Sequence, residues 1–342
     1  MLIRSVLPPA SWAFALTMLV SACTSAPPVP NSQTPSGQEV PSTGLPTISR
    51  FLRRAQLTSV APTESITAGS RNEQFIYTAQ LYGNDAKVYG RKKTSITFLE
   101  TLTRGLSAPQ GTVATFDGRW YVANAGHSDV LIYRSTHDGP RGPIDSLDDY
   151  RQFPGDVAVS RNRRLVAVSN ISTTSGGAGS VSIYLNRRAV RSYVLKYGND
   201  EVRGIGVAVD VHGDCYWSFN DPSESSGSIV EFVSCIGDGT VVVPTIAYAG
   251  GITFDQQGNL YYVDQSSGIY KCKGTSNCAL FATGFGVPLN INFDHKQKHL
   301  WVTDLAGYID VVNPTTGQIE SSTPAQGGSS DPPFGIAPEP GG

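Results

Sequence analysis

One phrase recurs down this chain: an apolar run closed by an acid or turn residue, then a second aromatic-rich run closed by Asn or Asp. It first reads Gln110-Gly-Thr-Val-Ala-Thr-Phe-Asp-Gly118 followed by Trp120-Tyr-Val-Ala-Asn124. It returns as Pro154-Gly-Asp-Val-Ala-Val-Ser160 with Leu165-Val-Ala-Val-Ser-Asn170, and as Ile205-Gly-Val-Ala-Val-Asp210 with Tyr216-Trp-Ser-Phe-Asn220. Gly251-Ile-Thr-Phe-Asp255 with Leu260-Tyr-Tyr-Val-Asp264 is the fourth copy. Asn290-Ile-Asn-Phe-Asp294 with Leu300-Trp-Val-Thr-Asp304 is the fifth. Anchored on Asp117, Ser160, Asp210, Asp255 and Asp294, the steps are 43, 50, 45 and 39 residues. Several short strands per unit at this spacing mark a β-propeller.

A propeller must seal its first blade against its last, because an open ring leaves sheet edges exposed. Pro333-Phe-Gly-Ile-Ala-Pro-Glu339 is a sixth opening strand with nothing long enough after it to complete a blade. The remainder stands near the N-terminus, where Phe75–Gln80, Ala86–Tyr89 and Ser95–Glu100 match second, third and fourth strands. The pattern predicts an all-β, six-bladed propeller over residues 61–342, its last blade built from both ends of the chain. Pro338 and Pro340 would end the closing strand, since proline cannot donate to a ladder.

The N-terminal residues read as targeting. Arg4, the apolar stretch from Trp12 to Val20 and then Val20-Ser-Ala-Cys23 have the proportions of a signal peptide over residues 1–22, too short to span a bilayer. Val-Ser-Ala-Cys resembles the bacterial lipobox, which implies lipidation of Cys23 and membrane attachment through it. Thr24 after that cysteine leans toward the outer membrane, facing the periplasm or cell surface. Residues 23–60 carry Pro27, Pro28, Pro30, Pro35, Pro41 and Pro46 among Ser, Thr and Gly, a composition suited to a tether rather than a core. Beyond Cys23 four cysteines remain, an even number. Their places predict two intrablade disulfides, Cys215–Cys235 across the Pro222–Gly227 turn and Cys272–Cys278 across Lys-Gly-Thr-Ser-Asn. Such bridges require an oxidising compartment.

Charge and motifs narrow the function less. A formal net charge of −2 gives no electrostatic pull toward nucleic acid. GxSxG, HExxH and GxxxxGK[ST] motifs are absent, and His127, His137, His212, His295 and His299 are scattered over loops. The recurring constellation is Gln80, Asn124, Asn170, Asn220, Asp264 and Asp304, each ending a second strand. Such side chains either form a polar ring able to hold a cation or ligand, or accept backbone N–H groups and stabilise the next turn. Arg161, Arg163 and Arg164, with Arg187, Arg188 and Arg191, mark the second blade, where they form a basic patch or guard a sheet edge. A glycine-rich insert, Ser172–Ser180, reads there as a mobile loop.

Gly251-Ile-Thr-Phe-Asp-Gln-Gln-Gly-Asn-Leu-Tyr-Tyr-Val-Asp264 resembles the NHL repeat, and Trp120-Tyr-Val-Ala-Asn124 resembles the YVTN-type repeat of bacterial propellers. These likenesses imply architecture, shared by many functions. A more distant likeness is to the senescence-marker/gluconolactonase propellers, which imply lactone hydrolysis with one divalent cation. In that family the metal-binding Asn and Asp lie just before the opening strands. Here those places hold Gly111 or Gln110, Gly155, Ile205, Gly250, Leu289 and Phe334, with Asp156 and Asn290 one residue away. The sequence therefore favours a lipid-anchored binding module for a protein or glycan partner, with no cofactor. The alternative is a divalent-metal-dependent lactonase or related hydrolase using Asp264, Asp304 and neighbouring asparagines.

Overall fold

A computed structural model describes residues 74–136, 139–186, 188–198, 201–223 and 226–339. The expected signal peptide, Cys23 and tether, with His137, Arg187 and Pro340, lie outside them. The described residues form 24 strands in six four-stranded antiparallel sheets. The N-terminal strands β1 (Gln74–Gln80), β2 (Asp85–Lys92) and β3 (Ser95–Leu102) belong to blade 6. Blade 1 is β4 (Pro109–Ala114), β5 (Arg119–Asn124), β6 (Asp129–Thr136) and β7 (Gly139–Asp148). Blade 2 is β8 (Gln152–Val159), β9 (Leu165–Thr173), β10 (Ser180–Leu185) and the three-residue β11 (Tyr193–Leu195). Blade 3 is β12 (Arg203–Val209), β13 (Cys215–Asn220), β14 (Gly227–Phe232) and β15 (Thr240–Ile246). Blade 4 runs β16 (Ala249–Phe254), β17 (Leu260–Asp264), β18 (Gly268–Lys273) and β19 (Ser276–Ala282). Blade 5 runs β20 (Pro288–Phe293), β21 (Leu300–Asp304), β22 (Tyr308–Val312) and β23 (Ile319–Pro324).

The last strand, β24 (Pro333–Pro338), pairs with β1, so blade 6 is closed by both ends of the chain as the repeat predicts. Both of its faces are sewn to neighbours. Toward blade 1, Tyr77 stacks on Trp120 at 4.7 Å and its hydroxyl meets Ser135 Oγ at 2.5 Å. Ser135 in turn donates to Glu339 Oε1, while the Phe75 N–H donates to Glu339 Oε2. Toward blade 5, Arg91 pairs with Asp294 at 2.6 Å, both side chains buried, and its guanidinium lies 4.9 Å from the Trp301 ring. That pair is partly responsible for holding the Asp294 carboxyl below its ordinary range, against the opposing effect of burial, with His299 and Lys298 N–H also bonding to it. Trp120, Trp217 and Trp301, each on a second strand, are fully buried between blades, which is why the second half of the phrase is aromatic.

Both disulfides are present as predicted. The first is reached differently from the strand-pairing argument. Cys215 stands opposite Phe232, and a single 3-10 turn, Val233–Cys235, folds Cys235 back to a Cα separation of 4.8 Å. The second closes the β18–β19 hairpin, where Lys273 pairs with Ser276.

Candidate functional site

The six inner strands β4, β8, β12, β16, β20 and β24 pack in sequence around the ring, each against the next. Each carries a register shift just beyond its start, so the repeat includes a bulge near the axis. The turn that ends each inner strand fixes the equivalences. Thr115, Ser160, Asp210, Asp255 and Asp294 each donate a backbone N–H back across that turn. In blade 1 the anchor is therefore Thr115 rather than Asp117; Asp117 serves it from outside, accepting the Thr115 hydroxyl at 2.6 Å.

Four residues before each anchor, and before Glu339, stand Gly111, Asp156, Gly206, Gly251, Asn290 and Gly335. The glycines are there for close approach. A Cβ on Gly335 would lie 2.8 Å from Gly111 Cα, one on Gly206 2.9 Å from Gly251 Cα, and one on Gly111 2.6 Å from Asp156 Cα. The two side chains at this level come from opposite blades, and Asn290 hydrogen-bonds to Asp156. Asp156 Oδ2 also accepts the Val207 N–H of the next blade at 3.0 Å. Burial, the dominant effect, pushes the Asp156 carboxyl up to about 7, against the opposing hydrogen bonds from Val207, Val157 and Asn290. Two residues further along β20, Asn292 Nδ2 donates to Ile336 O of blade 6 at 3.2 Å. The axis thus holds one carboxyl that changes charge near neutral pH, stapled across the ring by amides.

The residues ending the second strands sit one strand out from the axis and are buried. Asn124 Oδ1 accepts the Ser107 N–H at 2.6 Å, and its amide donates to Asp129 and to Gly105 O. Asn220 Oδ1 accepts from Ala249 N–H at 2.9 Å. Asp264 accepts from the Ala247, Tyr248 and Ser266 N–H groups. Asp304 accepts from those of Gly286, Val287 and Ala306. Asn124, Asp264 and Asp304 therefore hold loops leading into inner strands, Asn220 holds the first residue of β16, and Asp264 and Asp304 bind separate loops in separate blades.

Blade 2 departs from this pattern. Asn170 spends its amide on Ser180 and Ser182, and Asp149 reaches Ser182 and Arg191 instead. Burial raises the Asp149 carboxyl. The arginines of this blade diverge: Arg163 pairs with Asp117 at 3.3 Å and Arg191 with Asp149 at 3.2 Å. The glycine-rich insert is tied down by Arg203, which donates to Gly177 O at 3.0 Å, and by Gly179 N–H on Val202 O.

Among the described residues no three His, Cys, Asp or Glu side chains are grouped to hold a metal ion. No family model matches the chain, and no curated protein matches it by sequence. The fold is widely shared, with 1462 solved chains similar to it. One is a functionally unknown protein from Desulfotomaculum acetoxidans DSM 771, 12% identical, with a TM-score of 0.53 over 78% of this chain and 99% of that one. At that identity the likeness carries the propeller architecture alone.

Proposed function

We propose that this chain is an exported, lipid-anchored propeller that binds a protein or glycan through the loop rim where its inner strands begin. The two disulfides point to an oxidising, extracytoplasmic setting. No described helix is long and apolar enough to cross a membrane, and Cys23 would supply the attachment. The observation that carries the reading is on that rim: Tyr82, Tyr150 and Tyr308 are 42%, 61% and 41% exposed, the first two on loops and the third opening β22 at the same end of the ring. The Arg151 guanidinium lies 5.0 Å from the Tyr150 ring. Rigid aromatic rings with a polar tip are suited both to protein contacts and to the apolar faces of sugars. The test is a glycan array and crosslinking on intact envelopes with the wild-type chain and a Tyr82→Ala/Tyr150→Ala variant. The reading predicts a ligand or crosslink that the variant loses; identical profiles for both would refute the rim. Separately, Cys23→Ala should move the protein from the membrane to the soluble fraction.

A hydrolase remains the second reading because of Asp156, whose raised carboxyl is the kind of group that serves acid–base chemistry near neutral pH. Lactone turnover with a panel of divalent cations, abolished by Asp156→Asn, would support it.

A further inference from the structure

The opposite end of the axis is built by the turns that leave the inner strands. The anchor residues there are spent on the turns themselves: Asp210 accepts the His212 and Asp214 N–H groups, Asp255 those of Gln257 and Asn259, and Asp294 that of Lys298. The next position is free of that duty, and it holds five chemically different residues: Phe116, Arg161, Val211, Gln256 and His295. Three of the blades meet on His295. The Phe116 ring stands edge-on to the imidazole at 4.2 Å, spanning blade 6, and Gln256 Nε2 donates to His295 O at 3.4 Å. Arg161 holds the same position in the opposite blade. Its charge, with that of Lys296 and after the larger effect of burial, lowers the His295 pKa, while Asp294 acts the other way.

This mouth combines one buried orphan atom with an exposed cation and an exposed ring. His295 Nδ1 is buried without a hydrogen-bond partner. Arg161 is exposed, so its guanidinium faces solvent at this mouth and makes no ion pair among the described residues. Phe116 is 54% exposed despite its ring contact. We propose that this mouth binds a carboxylate carried on a flat apolar group, with Arg161 pairing the carboxylate, His295 adding a donor and Phe116 covering the apolar part. A guanidinium matches a carboxylate with two parallel hydrogen bonds. A bare inorganic anion would leave Phe116 uncovered, and a neutral aromatic would leave Arg161 unpaired. The site lies at the far end of the ring from the tyrosine rim and does not depend on what that rim binds.

The full chain is titrated with benzoate, with benzamide as the neutral isostere, by calorimetry and by the His295 imidazole NMR signals. Saturable benzoate binding is expected, roughly tenfold weaker for benzamide and for Arg161→Gln, and weakened by added salt. An anion beside His295 favours the imidazolium, so affinity should rise as pH falls through the imidazole range. Tyr150→Ala should leave binding unchanged. Absence of saturable benzoate binding, equal affinity for benzamide, or equal affinity in Arg161→Gln would overturn the assignment. A loss in Tyr150→Ala instead would place the ligand on the tyrosine rim.

Discussion

Two rings of side chains run through this propeller at neighbouring radii, and they differ in how strictly they repeat. The outer one, at the ends of the second strands, carries an Asn or Asp in five blades and Gln80 in the sixth. Three of those five hold loop N–H groups, and a fourth, Asn220, holds that of the first residue of β16. The inner one, at the bulges, holds four glycines, one Asp and one Asn. The recurrence in the outer ring follows from a common task, because in blades 1, 4 and 5 the residue fixes the loop that feeds its own inner strand. The inner ring is limited by space: six strands converge, and room remains for only two side chains, which then bond to each other. A residue repeated in every blade builds the ring. A polar residue that appears where its counterparts are glycine must be accounted for individually.

The largest expected effect is at an inner-ring glycine. Gly335→Val should cost at least about 3 kcal/mol and could prevent ring closure, since its Cβ meets the backbone of the adjacent strand rather than a movable side chain. Urea unfolding followed by tryptophan fluorescence measures it; a loss under about 1 kcal/mol would mean the strands are not packed as described.

Asp156→Asn comes next and should act with the opposite sign. A carboxyl raised from about 3.9 in the unfolded chain binds its proton more tightly when folded, so stability falls as pH rises from about 4 to about 7 and then levels. Three pH units correspond to a ceiling of about 4 kcal/mol. The Asn variant should lose that slope and gain stability at pH 8, read from urea midpoints across the pH series. A variant as pH-dependent as the wild type would remove Asp156 from the account.

Asp304→Ala should cost about 1–3 kcal/mol through its orphaned loop N–H groups, without changing the pH slope or benzoate binding. Cys272→Ser/Cys278→Ser should cost a similar amount, about 2 kcal/mol for so short a loop. Sensitivity of ligand binding to Asp304 would break the division between building and functional rings.

The architecture was legible because period and strand pattern are local properties. Even the two-ended closure of blade 6 could be read from the incomplete copy at Pro333–Glu339. The disulfide pairings were legible for the same reason, although the 3-10 turn before Cys235 was not, because no residue there announces it. The site was harder. Asp156 and Asn290 are 134 residues apart, and what brings them together is the closed ring plus a bulge that shifts each inner strand by one position. Counted along the sequence alone, the places just before the opening strands fall on Gly155 and Leu289, one residue short of this pair. Likewise Thr115 was hidden behind Asp117, since an acid is the commoner turn anchor and Thr115 donates its hydroxyl to that acid. The scattered histidines could not reveal the Phe116–His295 contact, which joins blades 1 and 5.

The most direct measurement is the titration of the Asp156 carboxyl itself, by infrared difference spectroscopy of the wild type against Asp156→Asn. The account predicts a carboxyl that loses its proton near pH 7, about three units above an ordinary aspartate. A carboxyl that titrates near pH 4 would show that the axis is open to water and that Asn290 does not close it.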